Sequence, residues 1–469
     1  MRTIRRALPV THALRGMKFA VRVHAARAAD MARIAHRTSA LTFLRSDDAM
    51  KTFHCNRCDN LVFFENIQCE RCGALLGYVP ELGEISAFEP APVEAANSVN
   101  SANDANHAAD ASNNAPPDSP PAVANNADET TAEATPDTSS PPLSPPTPRW
   151  TSLHPDAPAA AYRQCHNYAV ENVCNWMIPA DDDATLCRAC QLTRTIPNLD
   201  ASDESGNDAG KDLGKNRLYW YRLETAKRRL LYTLFALGLP VESRAEDPEH
   251  GLQFDFLENT PDGEHVMTGH ADGVVTLNVV EADDAQREKT RSELGEPYRT
   301  LLGHFRHEVG HYYFDRLIAG TRWLEPFRRQ FGDERADYGE ALARHYETGA
   351  PPDWALQYVS AYATMHPWED WAETWAHYLH MVDTLDTAAS CGLALVPDTP
   401  HEPTLTDQTP VEEASFDNLM KRWFPLTYVL NSLNRSLGMQ DGYPFTLAPP
   451  VIDKLRFVHR VLTHAGAKR

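Results

Sequence analysis

Between Arg71 and Arg149 the chain has no lysine or arginine, and between Phe88 and Trp150 it has no aromatic residue. A segment that poor in side chains for a core cannot offset the entropy of ordering itself. Residues 89–149, made largely of Ala, Asn, Asp, Pro, Ser and Thr, therefore read as a disordered acidic linker, a tether between the N-terminal part of the chain and the rest. Basic charge is also short overall: 44 Lys and Arg stand against 65 Asp and Glu, a net charge of -21. That argues against a broad phosphate-contacting surface for DNA or RNA, although part of the excess sits in the linker. No apolar run is long enough for a secretory signal or a membrane span, so a cytoplasmic protein without a membrane anchor is expected. A Gly-rich phosphate loop and a dinucleotide fingerprint are both missing. Residues 1–49 are arginine-rich and without an apolar core; they read as a disordered basic arm or a misassigned start, with Met50 the natural beginning.

What is present points to metal. His307-Glu308-Val309-Gly310-His311 spells H-E-x-x-H within a stretch that predicts one helix over 297–318. Residues four apart share a helix face, so two imidazoles one turn apart can grip one zinc ion. Glu308, beside the first of them, can act as general base toward zinc-activated water. A solvated helix that merely carries two histidines is the plain alternative. The apolar Leu301, Leu302, Phe305, Val309, Tyr312 and Leu317 around the motif favour the metal. Gly310 costs roughly 1 kcal/mol in a helix interior, which is explained if another backbone approaches there.

Zinc needs a third protein ligand and an open position. Pro367 suits the first turn of a second helix, with His366 just before it. Glu369 and Glu373 then fall one turn apart, and Ala372 and Ala376 keep that helix slim enough to pack against the first. A Glu ligand on a second, downstream helix is the gluzincin arrangement. Glu369 reads as the third ligand and Glu373 as the residue that orients it or a ligand His, with an exchange of those roles left open. Asp370 and His377 are outside candidates; His304, His345, His366 and His380 read as surface or core residues. Tyr362, seven residues before Glu369, could donate to the oxyanion of a tetrahedral intermediate.

Eight of the nine cysteines form two quartets. Cys55, Cys58, Cys69 and Cys72 make two C-x-x-C pairs ten residues apart, zinc-ribbon spacing, with Gly73 suited to a left-handed turn. Such a closed site is structural, and so small a module folds largely on metal-binding energy. Cys165, Cys174, Cys187 and Cys190 suggest a second structural zinc, with His166 as a substitute ligand; disulfides or a redox pair are the alternatives, which an oxidising compartment would favour. Cys391 is left over and reads as a buried or half-buried thiol.

Downstream, hydrophobic periodicity predicts a helix over 220–237, strands over 253–256 and 274–280, and a tight turn over 269–273. Further helices are predicted over 325–330, 336–347, 416–437 and 450–464. The strand 274–280 is expected to include the sheet edge that pairs with substrate backbone.

The run from His366 through His380, His-Pro-Trp-Glu-Asp-Trp-Ala-Glu-Thr-Trp-Ala-His-Tyr-Leu-His, together with the motif at His307–His311, resembles the bacterial family of zinc-binding metallopeptidases that carry a zinc-ribbon at the N-terminus. The resemblance covers most of the chain outside the first 49 residues and the linker. It extends to Leu433-Asn434-Arg435-Ser436-Leu437-Gly438 and Tyr443-Pro444-Phe445. The Tyr362-to-Glu369 spacing and the paired Glu are also similar to the catalytic domain of anthrax lethal factor, a gluzincin. These likenesses imply Glu369 as ligand, Tyr362 as oxyanion helper, and cysteines at the second quartet.

The expected fold is α+β: zinc-ribbon over 50–88, linker, second cysteine module over 150–199, and a mainly helical zincin-like domain with a small sheet over 216–469. The expected function is zinc-dependent peptide hydrolysis, with one catalytic and two structural zinc ions, a peptide or protein substrate, and a protein partner at the ribbon. The rival is a binding protein, for a protein or a nucleic acid, built on a catalytically idle scaffold. A narrower possibility is that the enzyme cuts its own linker.

Overall fold

The computed structural model describes residues 52–92, 148–199, 209–259, 265–294, 296–411 and 413–466, with the side chains of 209–214 left aside. The basic arm, Met50 and most of the acidic segment lie outside the described residues.

A two-stranded ribbon of β1 (Phe53–His54) and β2 (Leu61–Val62) opens the fold. A five-stranded antiparallel sheet comes next, in simple order: β3 (Leu75–Val79), β4 (Glu84–Pro90), β5 (Trp150–Ser152), β6 (Tyr162–Gln164) and β7 (Met177–Pro179). The segments 50–88 and 150–199 thus share one sheet. Pro90 pairs with Trp150, and the Ala91 amide donates to the Arg149 carbonyl at 2.9 Å. The two ends of the acidic segment are therefore neighbours. This direct pairing of the described residues on either side holds the two segments together at that point. The sequence could not show this, because the strand partners lie across the whole segment.

Of the second quartet, Cys165 and Cys187 cap the one-turn helices α1 (His166–Ala169) and α2 (Arg188–Gln191) and Cys190 lies within α2; β8 (Thr193–Thr195) follows. The long helix α3 (Ala209–Ala236) then packs across both halves. Its Tyr232 meets Phe64 of the ribbon at 5.6 Å between rings, and its Arg229 pairs with Glu65 at 2.6 Å. At the ribbon's start, the Thr52 amide donates to Ser390 Oγ at 2.7 Å.

The second sheet runs β10-β11-β9-β8, with β9 (Gln253–Leu257), β10 (Gly269–Ala271) and β11 (Val274–Asn278). β8, β9 and β11 are parallel, and β10 is antiparallel to β11. This corrects two expectations. The tight turn is confined to Asp272 and Gly273, both at positive φ as a two-residue hairpin turn requires, so 269–271 is free to pair as a strand. In consequence β11, over 274–278, is interior to the sheet, and β10 supplies the edge beside the motif helix.

The remaining helices are α4 (Asp284–Glu293), α5 (Leu301–Leu317), α6 (Leu324–Phe331), α7 (Tyr338–Thr348), α8 (Pro367–Ser390), α9 (Phe416–Ser436) and α10 (Pro449–Gly466). α5 starts at Thr300, whose hydroxyl accepts from the Gly303 amide at 3.0 Å. It is buried on nearly every face, from Phe305 through Phe314 except His307. α8 crosses it closely. A Cβ added to Gly310 would lie 3.0 Å from Ala372 Cα and 3.1 Å from Trp375 Cδ1. The Trp371 indole donates to the Gly310 carbonyl at 2.8 Å. Trp371 and Trp375 are fully buried at this crossing, and each such ring is worth about 3–5 kcal/mol over alanine. From the far side, Lys454 of α10 reaches the buried Asp370 at 2.6 Å. Among the described residues no helix is long and apolar enough to cross a membrane.

Candidate metal centre

The α5–α8 crossing brings His307, His311 and Glu369 together, their candidate ligand atoms all within 4.8 Å of one another. Glu369 is wedged between the rings. Its Oε2 lies 2.9 Å from His307 Nε2 and its Oε1 3.4 Å from His311 Nε2. Glu373, one turn further, holds the opposite side of His307, with Oε1 2.7 Å from Nδ1. Burial opposes charge on His307, but its hydrogen bonds to Glu369 and Glu373 outweigh that and hold the imidazole well above its ordinary range. Glu369 is the mirror case: burial pushes its carboxyl up, and the hydrogen bonds from His307 and His311 hold it well below the carboxylate range. A divalent cation among these atoms would supply the positive charge that an imidazolium supplies without it. Two imidazole nitrogens and one carboxylate are a donor set that fits zinc.

Glu308 is buried, 7 % exposed, and among the described residues nothing hydrogen-bonds its carboxylate. Tyr362, in a short 3-10 turn (Tyr362–Thr364) before α8, has its ring 6.0 Å from that of His307. Burial, then the Glu369 charge, raises its phenol well above the usual value, so it stays a donor. The Trp368 ring lies 3.8 Å from that of His311 and walls that imidazole.

The outside candidates are elsewhere. Asp370 is paired to Lys454, and His377 takes its own helix carbonyl at Glu373, 3.2 Å away. His366 caps α8, accepting from the Trp368 amide at 3.1 Å. His380 sits among the rings of Tyr298, Trp423 and Tyr443, and His304 lies 3.2 Å from Glu281. His345 is 5.9 Å, ring to ring, from Tyr362. One residue at the centre has no signal in the sequence: the Tyr338 hydroxyl donates to Glu369 Oε1 at 3.0 Å. No spacing marks it, because it stands at the start of α7 and only packing carries it to α8.

Both cysteine quartets close up. In the first, the Cys58 and Asp59 amides return to the Cys55 carbonyl, and the Gly73 amide returns to that of Cys69. Asp59 and Gly73 take equivalent left-handed positions in the two knuckles. In the second, Cys165, Cys174, Cys187 and Cys190 are all buried and gathered, while His166 is exposed outside the cluster. Burial, then the neighbouring Cys165, Cys174 and Cys190, pushes the Cys187 thiol well above its ordinary value. Four thiolates in that space need a cation. Cys391, against expectation, is exposed, because it caps α8 where the helix leaves the core.

A cationic partner for the second quartet comes from α3. Arg228 is 1 % exposed and donates to the carbonyl of Val173, next to Cys174, at 2.5 Å. Burial works against its charge; Cys174, Glu224, Cys190 and Cys187 outweigh it. Arg228→Met should therefore speed zinc loss from this quartet to a chromophoric chelator by about 10–100-fold. The first quartet should release as before; a release profile identical to wild type in both phases would remove Arg228 from this role.

A family model described as "Putative zinc-binding metallo-peptidase" matches residues 216–461. The chain belongs to that family. A zinc-ribbon family model matches 52–119 and 142–201, which takes in both quartets of this family member. Uncharacterized proteins of Mycobacterium bovis and Mycobacterium tuberculosis are 48% identical over 290 residues, 62% of this chain and 79% of each relative. No solved structure matches the chain. Both family models name zinc, and the three clusters are groups of side chains that could hold a metal ion.

Proposed function

We propose that the chain is a zinc-dependent peptidase of gluzincin type, with His307, His311 and Glu369 holding the catalytic zinc and each quartet a structural one. The observation that carries this is a buried carboxylate set between the two imidazoles of H-E-x-x-H, with an unengaged Glu308 beside them. Zinc bound there supplies a Lewis acid and an activated water. Glu308 takes the proton of the attacking water and returns it to the leaving amine. Glu373 accepts from His307 Nδ1, which leaves Nε2 as the ligating nitrogen. Tyr362 donates to the oxyanion of the tetrahedral intermediate.

The substrate is a peptide or protein, and β10 is the edge on which an extended backbone would pair. The exposed Leu61, Phe63 and Ile67 of the ribbon are the natural contact for a protein partner. Eight thiolates kept for metal suit a reducing compartment, the cytoplasm. Elemental analysis tests the site without any substrate. Wild type should carry three zinc ions, one for each cluster, and His307→Ala two. Two in both, with no site restored by added zinc, would defeat the reading.

A further inference from the structure

We propose that Tyr338 is a positioning residue of the metal centre, setting the Glu369 carboxylate before a cation arrives. The inference rests on the zinc site proposed above. Glu369 has two oxygens with different neighbours. Oε2 faces His307, and Oε1 accepts from the Tyr338 hydroxyl at 3.0 Å while also facing His311. A carboxylate with one oxygen held by a phenol has lost the freedom to rotate about its terminal bond. The ordering cost of metal binding is then met in advance.

Tyr338 is itself built into place. His366, which caps α8 through Nδ1, donates from Nε2 to the Ala336 carbonyl at 3.0 Å. One imidazole thereby ties the start of the Glu369 helix to the approach of α7. Gly332, at φ +110, lets the preceding loop close on Pro367, where a Cβ would sit 3.0 Å from the proline ring. Asp337 caps α7 through the Glu340 amide at 2.8 Å and fixes where Tyr338 begins. The Tyr338 ring stands edge-on to His366 at 5.4 Å and to Trp368 at 6.0 Å. Contacts from α8 and its cap thus locate a side chain that is still 37 % exposed, at the mouth of the site. Tyr362 differs: its ring lies beside His307 and its hydroxyl interacts with that of Tyr338, with no hydrogen bond to Glu369.

The test uses the full chain, with cobalt(II) and then zinc titrated against a competing chelator. Tyr338→Phe removes one oxygen at a partly exposed position. It should weaken metal at the H-E-x-x-H site by about 10–100-fold and shift the visible band of cobalt bound there. The thiolate-to-cobalt bands of the two quartets should stay where they are and report an intact fold. Equal affinity and an unmoved band in Tyr338→Phe would overturn the proposal with the zinc reading intact. A wild type that binds cobalt only in its thiolate quartets would instead defeat the zinc reading, and this inference with it.

Discussion

Glu308→Gln should keep its full complement of zinc and lose peptide hydrolysis by at least about 10²–10⁴-fold, the range a positioned general base contributes. Glutamine has nearly the same shape but cannot take a proton. No hydrogen bond to the Glu308 carboxylate exists among the described residues, so the exchange breaks no structural contact. The separation is therefore clean: activity falls while metal content and melting temperature hold. Cleavage would be read by mass spectrometry on a broad peptide pool, since a narrow specificity could hide from a single substrate. A variant that cuts as well as wild type would mean that Glu308 is not the base, whatever metal is bound.

The second large effect concerns the two carboxylates of α8. Glu369→Ala should empty the H-E-x-x-H site, because it removes the proposed third ligand and leaves His307 and His311 without their shared anion. Glu373→Gln should keep metal there with about 10–100-fold weaker affinity, as expected for a group that only orients a ligand ring. Zinc content and chelator competition on the two variants measure both. If Glu373→Gln empties the site and Glu369→Ala does not, their roles are exchanged. In the sequence these residues stand one turn apart on one helix face and cannot be told apart by spacing. The structure separates them by which nitrogen of His307 each one meets.

Several further features are legible in the sequence because they are local. The close approach at Gly310 is one: a glycine inside a helix and two alanines in another announce a tight crossing, and Ala372 is what Gly310 meets. The cap and proline at the start of α8 are another, since His366 and Pro367 act within one turn. The edge strand is hidden for the opposite reason. Five residues with glycine at both ends suggest a loop, yet a two-residue turn suffices there, and the remaining three pair with β11. The acidic segment reads as a tether because composition reports what cannot form a core. It does not report that the flanking strands are partners.

By itself the sequence located the H-E-x-x-H pair and the two cysteine quartets that the structure gathers into candidate metal clusters. Its H-E-x-x-H pentapeptide and its cysteine knuckles act through spacing within one helix turn or one tight turn, and local backbone geometry carries such patterns into space without help. Only the tertiary structure decided which carboxylate meets which face of His307, which strand is the edge, that Arg228 lies against the second quartet, and that Tyr338 reaches Glu369. Each of those depends on elements far apart in the chain whose relative placement is set by packing, and packing leaves no period in the sequence to read.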